Sequence, residues 1–417
     1  MSTFIDKLSG SVCYFTHFSV LDISGINPVT ADTTVNSINN NLLSKYSKVC
    51  FDENNNETLR DINISQSFLH PNGLPFAPKR AIIADFKIKH VSLPITNSTV
   101  MFTIFPEIGT ASLTINLNFD KATTDQVIFL RQCAGNCEKF EIEYINNTIA
   151  NRQLSITELF DDIIASISIP SDAFNTSYLL ELNEFGEVSD LVSVIRNEAE
   201  RVYGLLTGDE GWPFVSKELA LSRISNDWGS REFVKFIAFG SNFILFNLNH
   251  SAYEKDYEVH QRIFSTKYYG NMNEYFSMKS KFAGVNHGIL FSIETVMAIK
   301  TVTTYILDKQ TFFKAYQIEN FNTAIQRTKA YRKDLMLTLN KLEQIDISEM
   351  GELENLVLRS QHIDPIIEKI KYLLELLESD LTLMYSQQTN KMVNFLTIFG
   401  ILLSIAGTVI ALIDLLR

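Results

Sequence analysis

The chain has 417 residues, a formal net charge of −12, 46% hydrophobic and 20% charged residues. The acidic balance excludes a surface built to coat nucleic acid, and the length suits two or three domains. Four cysteines in so long a chain exclude a disulfide-stapled scaffold and fit a reducing compartment.

The N-terminal stretch MSTFIDKLSGSVCYF carries an isolated Lys7 and no continuous apolar core. It predicts no secretory signal and a cytosolic body. Triplets such as Asn97-Ser98-Thr99 and Asn175-Thr176-Ser177 then read as incidental to an Asn-rich composition. Apolar and β-branched runs predict strands at Cys13–Val20, Ala81–Leu93, Thr99–Phe105 and Ser112–Phe119, separated by Pro94, Asn97 and Gly109. Residues 71–78 hold three prolines and a glycine and predict a loop. Helices are expected at Asp125–Cys133, Ile156–Ser166 and Val188–Leu206, the second opened by a capping box of Ser155 and Glu158. Phe233–Asn249 reads as a hairpin around Gly240-Ser241-Asn242.

From about Ser292 the pattern is helical. Ile363, Ile366, Ile370, Leu373, Leu377, Leu381 and Met384 recur at steps of three and four, a coiled-coil-like stripe. Asp364 and Pro365 suit the start of that helix, and no breaker follows before Leu416. The run from Val393 to Leu416, VNFLTIFGILLSIAGTVIALIDLL, has no charge before Asp414. About 20 such residues cross a bilayer core of roughly 30 Å, so this stretch is expected to be a transmembrane helix. Lys369, Lys371 and Lys391 on its near side agree with a cytosolic N-terminal body. The fold class expected is an α+β cytosolic domain, long antiparallel or coiled-coil stalk helices and one C-terminal transmembrane helix. The domains would be residues 1–290 (with a sub-boundary near 207–232), 291–391 and 392–417.

Within the span, Asn390, Asn394, Thr397, Ile401, Ser404 and Thr408 follow one another at steps of three and four and share a face. Polar groups facing hydrocarbon are costly, so that face is expected to meet water or another helix. As pore lining it would form rings of Asn, Thr and Ser across several copies. As plain packing, Gly400, Ser404 and Thr408 make a small-residue ridge, with Gly407 also in the span.

Tyr385-Ser386-Gln387-Gln388-Thr389-Asn390-Lys391-Met392, followed by Asn394-Phe395-Leu396-Thr397-Ile398, resembles the first transmembrane segment of CorA-type magnesium channels. The resemblance is specific over Tyr385–Ile398 and architectural elsewhere. It implies a homo-oligomer, a pentamer, in a bacterial inner membrane, with a divalent cation such as magnesium as ligand. That family ends this helix with Gly-Met-Asn and adds a second span. Here Ala406-Gly407-Thr408-Val409 stands at the corresponding place, and Gly270-Asn271-Met272-Asn273 lies far upstream. The resemblance therefore implies a divergent member, such as the membrane effectors of bacterial antiviral systems, in which a cytosolic domain senses a signal.

Other constellations carry less. Cys133 and Cys137 lack CxxC spacing. His250 and His260 flank Glu254, Asp256 and Glu258, a candidate divalent-ion site. Lys79, Arg80 and Arg131 are candidates to meet a small anionic signalling ligand. Trp212 and Trp228 suit a domain junction. No P-loop, GxSxG elbow or HExxH occurs, so no enzyme is expected. The functional expectation is a CorA-like channel or membrane-permeabilising effector gated by its cytosolic domain. The alternative is a tail-anchored scaffold without transport activity, with lipid and its own copies as partners and no nucleic acid.

Overall fold

A computed structural model describes residue 8 and residues 11–21, 40–41, 60–61, 79–83, 86–105, 108–119, 121–144, 151–167, 174–182, 191–229, 234–247, 287–308, 321–345 and 351–415. Contacts divide the chain into two units. One comprises Met1–Tyr305 with Lys341–Asp364, and the other Ile306–Asn340 with Pro365–Arg417.

The first unit is built on a nine-stranded sheet. Its strands are β1 (Ser11–Val20), β2 (Arg60–Asp61), β3 (Lys79–Ile83), β5 (Ile95–Phe105), β6 (Thr110–Phe119), β9 (Phe174–Leu182), β10 (Asp227–Trp228), β11 (Val234–Phe239) and β12 (Asn242–Asn247). The order is β10-β11-β12-β9-β1-β6-β5-β3-β2. All neighbours are antiparallel except β12 and β9. A second, three-stranded sheet joins β4 (Phe86–Lys89), β7 (Phe140–Tyr144) and β8 (Arg152–Leu154). The stretch expected as one strand over Ala81–Leu93 is thus two strands in different sheets. Continuous apolarity cannot distinguish one buried strand from two.

β6 alternates Leu113, Ile115 and Leu117 with Ser112, Thr114 and Asn116, and all six are buried. The apolar set packs in one core with helices α1 (Thr124–Gln132), α2 (Ile156–Ile167) and α4 (Ala199–Thr207). The polar set faces a different helix, α6 (His287–Asp308). Ser112 Oγ and Thr114 Oγ1 donate to the buried Glu294 carboxylate at 3.2 and 2.9 Å, and Thr114 meets Thr16 at 3.0 Å. A buried carboxylate is costly unless it is hydrogen-bonded, and these hydroxyls supply the bonds.

Local signals explain the helix ends. The predicted Ser155–Glu158 capping box is present, with both reciprocal bonds formed. Thr123 and Gln126 form a second one at the start of α1. The helix expected over Val188–Leu206 is broken at Glu198 into α3 (Leu191–Asn197) and α4. The hairpin of β11 and β12 turns through Gly240 and Ser241. Gly240 has φ 56°, which only glycine adopts without cost. Short α5 (Lys217–Arg223) and α8 (Gly351–Ser360) complete this unit.

The second unit is helical. α7 (Phe321–Ile345) buries Ile325, Thr328, Tyr331, Leu335, Thr338 and Leu342, a stripe at helical spacing. α9 (Ile363–Leu415) is one helix of 53 residues, about 80 Å long at 1.5 Å per residue. It begins at Ile363, directly after His362 at φ 53°, so Asp364 lies in the first turn rather than at the cap.

Candidate functional site

The distal half of α9 is the first candidate. It passes as a membrane span by length and composition, with a window of mean hydropathy 2.2, and none of that window is buried. Every described side chain from Tyr385 to Ile410 is exposed. At 100° per residue, Asn390, Asn394, Thr397, Ile401, Ser404 and Thr408 fall within an arc of about 80°. No described residue of the chain covers this arc, and a Cβ added at Gly400 or Gly407 would meet open space. Thr397 Oγ1 donates to the Val393 carbonyl and Thr408 Oγ1 to the Ser404 carbonyl, both at 2.8 Å. Such back-bonding satisfies the hydroxyls inside the helix and lowers the cost of placing them in an apolar medium. On the opposite side of the helix Phe395 and Phe399 stack with centroids 6.3 Å apart.

The second candidate is a cleft of about 670 Å³ in the first unit, over the middle of β1 and the first half of β9. β1 contributes Phe15 and His17, and β9 contributes Thr176, Ser177 and Tyr178. Arg131 and Gln132 come from α1, Phe160 and Asp161 from α2, and Thr207 from the end of α4. Among the described residues of this lining Arg131 is the one lysine or arginine. Its guanidinium lies 5.0 Å from the centroid of the Tyr178 ring, and Nη1 donates to the Leu206 carbonyl at 2.7 Å. Gln132 Nε2 donates to the Gly208 carbonyl at 2.9 Å. These two side chains cap the C-terminus of α4, where carbonyls lack helical partners. Gly208 makes the geometry possible: its φ is 73°, and a Cβ there would stand 3.0 Å from Arg131 Nη1.

Beneath the cleft, Tyr178 Oη and Cys13 Sγ are 2.9 Å apart, both buried. Burial pushes the Cys13 thiol up to about 12 and raises the Tyr178 phenol, so both stay protonated near neutral pH. Burial depresses the Arg131 pKa, though an arginine remains charged in proteins. Burial also lowers the pKa of His17, against the attraction of Asp161. Among its described residues the cleft thus presents one fixed cation, one carboxylate, a largely neutral imidazole and aromatic walls. It can hold a small ligand, with Arg131 placed to receive an anionic group.

The other expected residues lie elsewhere. Lys79 and Arg80 are on β3, which β6 and β5 separate from β1. At about 4.8 Å per strand that is roughly 14 Å away, so they do not join Arg131. Glu254, Asp256, Glu258, His260 and His250 lie outside the described residues. Among the described residues no group of three or more His, Cys, Asp and Glu is placed to hold a metal. Cys133 is buried and Cys137 exposed, both free. Trp212 packs its ring over Gly204 of α4 and faces the Arg201 guanidinium, 5.4 Å from the ring centroid.

Two groupings escaped the sequence reading. His17, Asp161 and Tyr178 line one cleft because β1 pairs with β9 across more than 150 residues and α2 brings Asp161 to the same place, and no local signal announces that. The cations Arg327, Lys329, Arg332 and Lys333 had a legible signal, four in seven residues without an acid. No protein-family model, no curated protein and no solved structure matches this chain.

Proposed function

We propose that the chain is a homo-oligomeric CorA-like membrane channel or membrane-permeabilising effector, gated by its N-terminal body. The observation that carries this reading is α9, one unbroken helix from Ile363 to Leu415 that joins a partly covered stalk to a wholly uncovered apolar span. A continuous helix transmits rotation or tilt along its length, since each of its turns is fixed by backbone hydrogen bonds. The stalk is an antiparallel pair of α7 and α9. Two contacts support that arrangement: Arg332 meets Glu378 at 3.4 Å, and Lys329 lies over the Tyr385 ring at 5.3 Å. Rising numbers on one helix meet falling numbers on the other.

Self-association is favoured by a second face of α9. Tyr372, Leu376 and Leu383 are 64, 41 and 59% exposed, on the side away from the covered stripe. Apolar stalk positions at coiled-coil spacing find cover in a neighbouring copy. The cleft around Arg131 is the input site, taking a small ligand with an anionic group. The output is the face of Asn390, Asn394, Thr397, Ile401, Ser404 and Thr408, turned to the oligomer axis, where a divalent cation such as magnesium would pass. The body lies on the cytosolic side of a bacterial inner membrane.

The second reading is a tail-anchored scaffold. The back-bonded hydroxyls of Thr397 and Thr408 favour it, because a span whose hydroxyls are satisfied internally can face lipid or a packed helix without lining a pore. The mass of the detergent-solubilised particle separates the two. Five copies are expected for the channel, and a monomer would overturn it.

A further inference from the structure

We infer that Gln361 is the positioning residue that couples the Arg131 cleft to the start of α9, through the turn between β11 and β12. This deepens the reading of the cleft as the input site and rests on it. Ser241 and Asn242 of that turn line the cleft beside Tyr178. Asn242 pairs with Tyr178, and the Tyr178 backbone N–H donates to the Ser241 carbonyl at 2.9 Å. A ligand seated against these residues bears on the turn directly.

The end of α8 holds the same turn. The Gly240 carbonyl accepts from Ser360 Oγ at 3.1 Å and from Gln361 Nε2, so both of its lone pairs are used. Ser241 Oγ meets Gln361 Oε1 at 3.1 Å, and Lys300 Nζ of α6 donates to that same oxygen at 2.6 Å. Ser360 and Gln361 are both buried. The orientation of the amide is dictated by its partners. Turned over, its NH₂ group would face the Lys300 ammonium and its oxygen would face a carbonyl. A side chain with donors alone, or acceptors alone, could not make this set of bonds.

Directly after Gln361 comes the joint into α9. α8 packs on β10 and β11 and ends at Ser360, and α9 begins at the buried Ile363. Between them His362 stands at φ 53°, in the left-handed region that a β-carbon disfavours. Its N–H donates to the Arg359 carbonyl at 3.0 Å, and the Gln361 N–H reaches those of Val357 and Leu358 at 3.1 Å. A disfavoured backbone persists only where the surrounding contacts fix it. The side-chain bonds of Gln361 are the contacts here that also reach the cleft. The whole route, from Tyr178 to Ile363, lies within the first unit. A ligand that clamps the turn holds Gln361, and Gln361 holds the joint from which α9 takes its direction.

The test is amide hydrogen exchange on the full chain in detergent, with and without phenyl phosphate. That probe carries one anionic group for Arg131 and a ring for the aromatic walls. In the native chain it should slow exchange at residues 176–178 and 241–242, and by roughly fivefold at residues 361–370. Gln361→Glu keeps an acceptor for Ser241 and Lys300 and gains an ion pair with that lysine. It loses only the donor to Gly240, where it sets a carboxylate against a carbonyl. In this variant the cleft segments should still slow and residues 361–370 should not. Gln361→Ala, which removes every side-chain contact, should behave the same way. A merely structural role would change exchange at the joint equally with and without the probe. Slowing confined to the cleft in the native chain, or equal slowing at residues 361–370 in the native chain and Gln361→Glu, would overturn the coupling and leave the input site standing. No slowing at the cleft of the native chain would overturn the input site, and the coupling with it.

Discussion

His17 shows how a single residue ties the cleft to the stability of the body. Its ring lies 5.5 Å from that of Phe160, in a partly apolar wall. Burial lowers its pKa from the ordinary 6.5. The unfolded chain then holds the proton more tightly than the folded one, so protonation favours unfolding. The contribution of His17 is present above about pH 6.5 and is lost as pH falls through that value toward the folded one. Thermal unfolding of the chain between about pH 7.5 and 5 should show a fall in melting temperature that His17→Gln reduces. An identical fall in the variant would show that other groups carry the acid sensitivity. The sequence announces none of this. His17 alternates with Thr16 and Phe18 like any strand residue, and Asp161 acts on it from a helix more than 140 positions away. Arg131, by contrast, was legible in the sequence as a candidate cation for an anionic ligand. Its engagement with the α4 carbonyl was not, because that depends on where two helices end.

The elements were more legible than the contacts between them. The capping box at Ser155, the Gly240 hairpin and the 3.6-residue stripe of α9 each follow from local chemistry and each is present. The two strands within Ala81–Leu93 and the break at Glu198 depend on tertiary packing, which overrides local pattern. The stalk stripe also acquires a sharper meaning. Ile370 and Leu373 are 0 and 4% exposed and Leu377 is half-buried, so this face is already covered within one chain. Ile370→Asp should therefore unfold the stalk, since an unpaired carboxylate in a closed apolar site costs several kcal/mol. Leu376→Asp with Leu383→Asp acts on the exposed face. That pair should leave the helix content of the chain unchanged and shift the particle mass toward single copies. Sedimentation of both variants beside circular dichroism decides the matter. Oligomers that persist in the Leu376, Leu383 variant would show that the stalk has no part in assembly.

At the scale of the whole molecule the informative contrast is coverage. The first unit buries both faces of β6, and Glu294 accepts from two hydroxyls of the polar one. The distal half of α9 buries nothing. Ile401 is 54% and Leu402 58% exposed, so a single chain does not distinguish these two adjacent positions. Only the surroundings of an assembly can do so. If copies gather with the Asn394–Thr408 face inward, Ile401 becomes an apolar constriction among polar rings, and water leaves it readily. Ile401→Ser then wets the narrowest level, and leak of small ions from reconstituted vesicles should rise. Leu402 faces lipid in the same arrangement. Leu402→Ser keeps its hydroxyl bonded to the helix carbonyl four residues back, as Thr397 and Thr408 do, and leak should change little. The comparison is internal, since both variants replace one aliphatic residue with the same hydroxyl one position apart. Equal leak in the two, or none in either, would remove the pore and leave α9 an anchor whose small residues serve to pack helices.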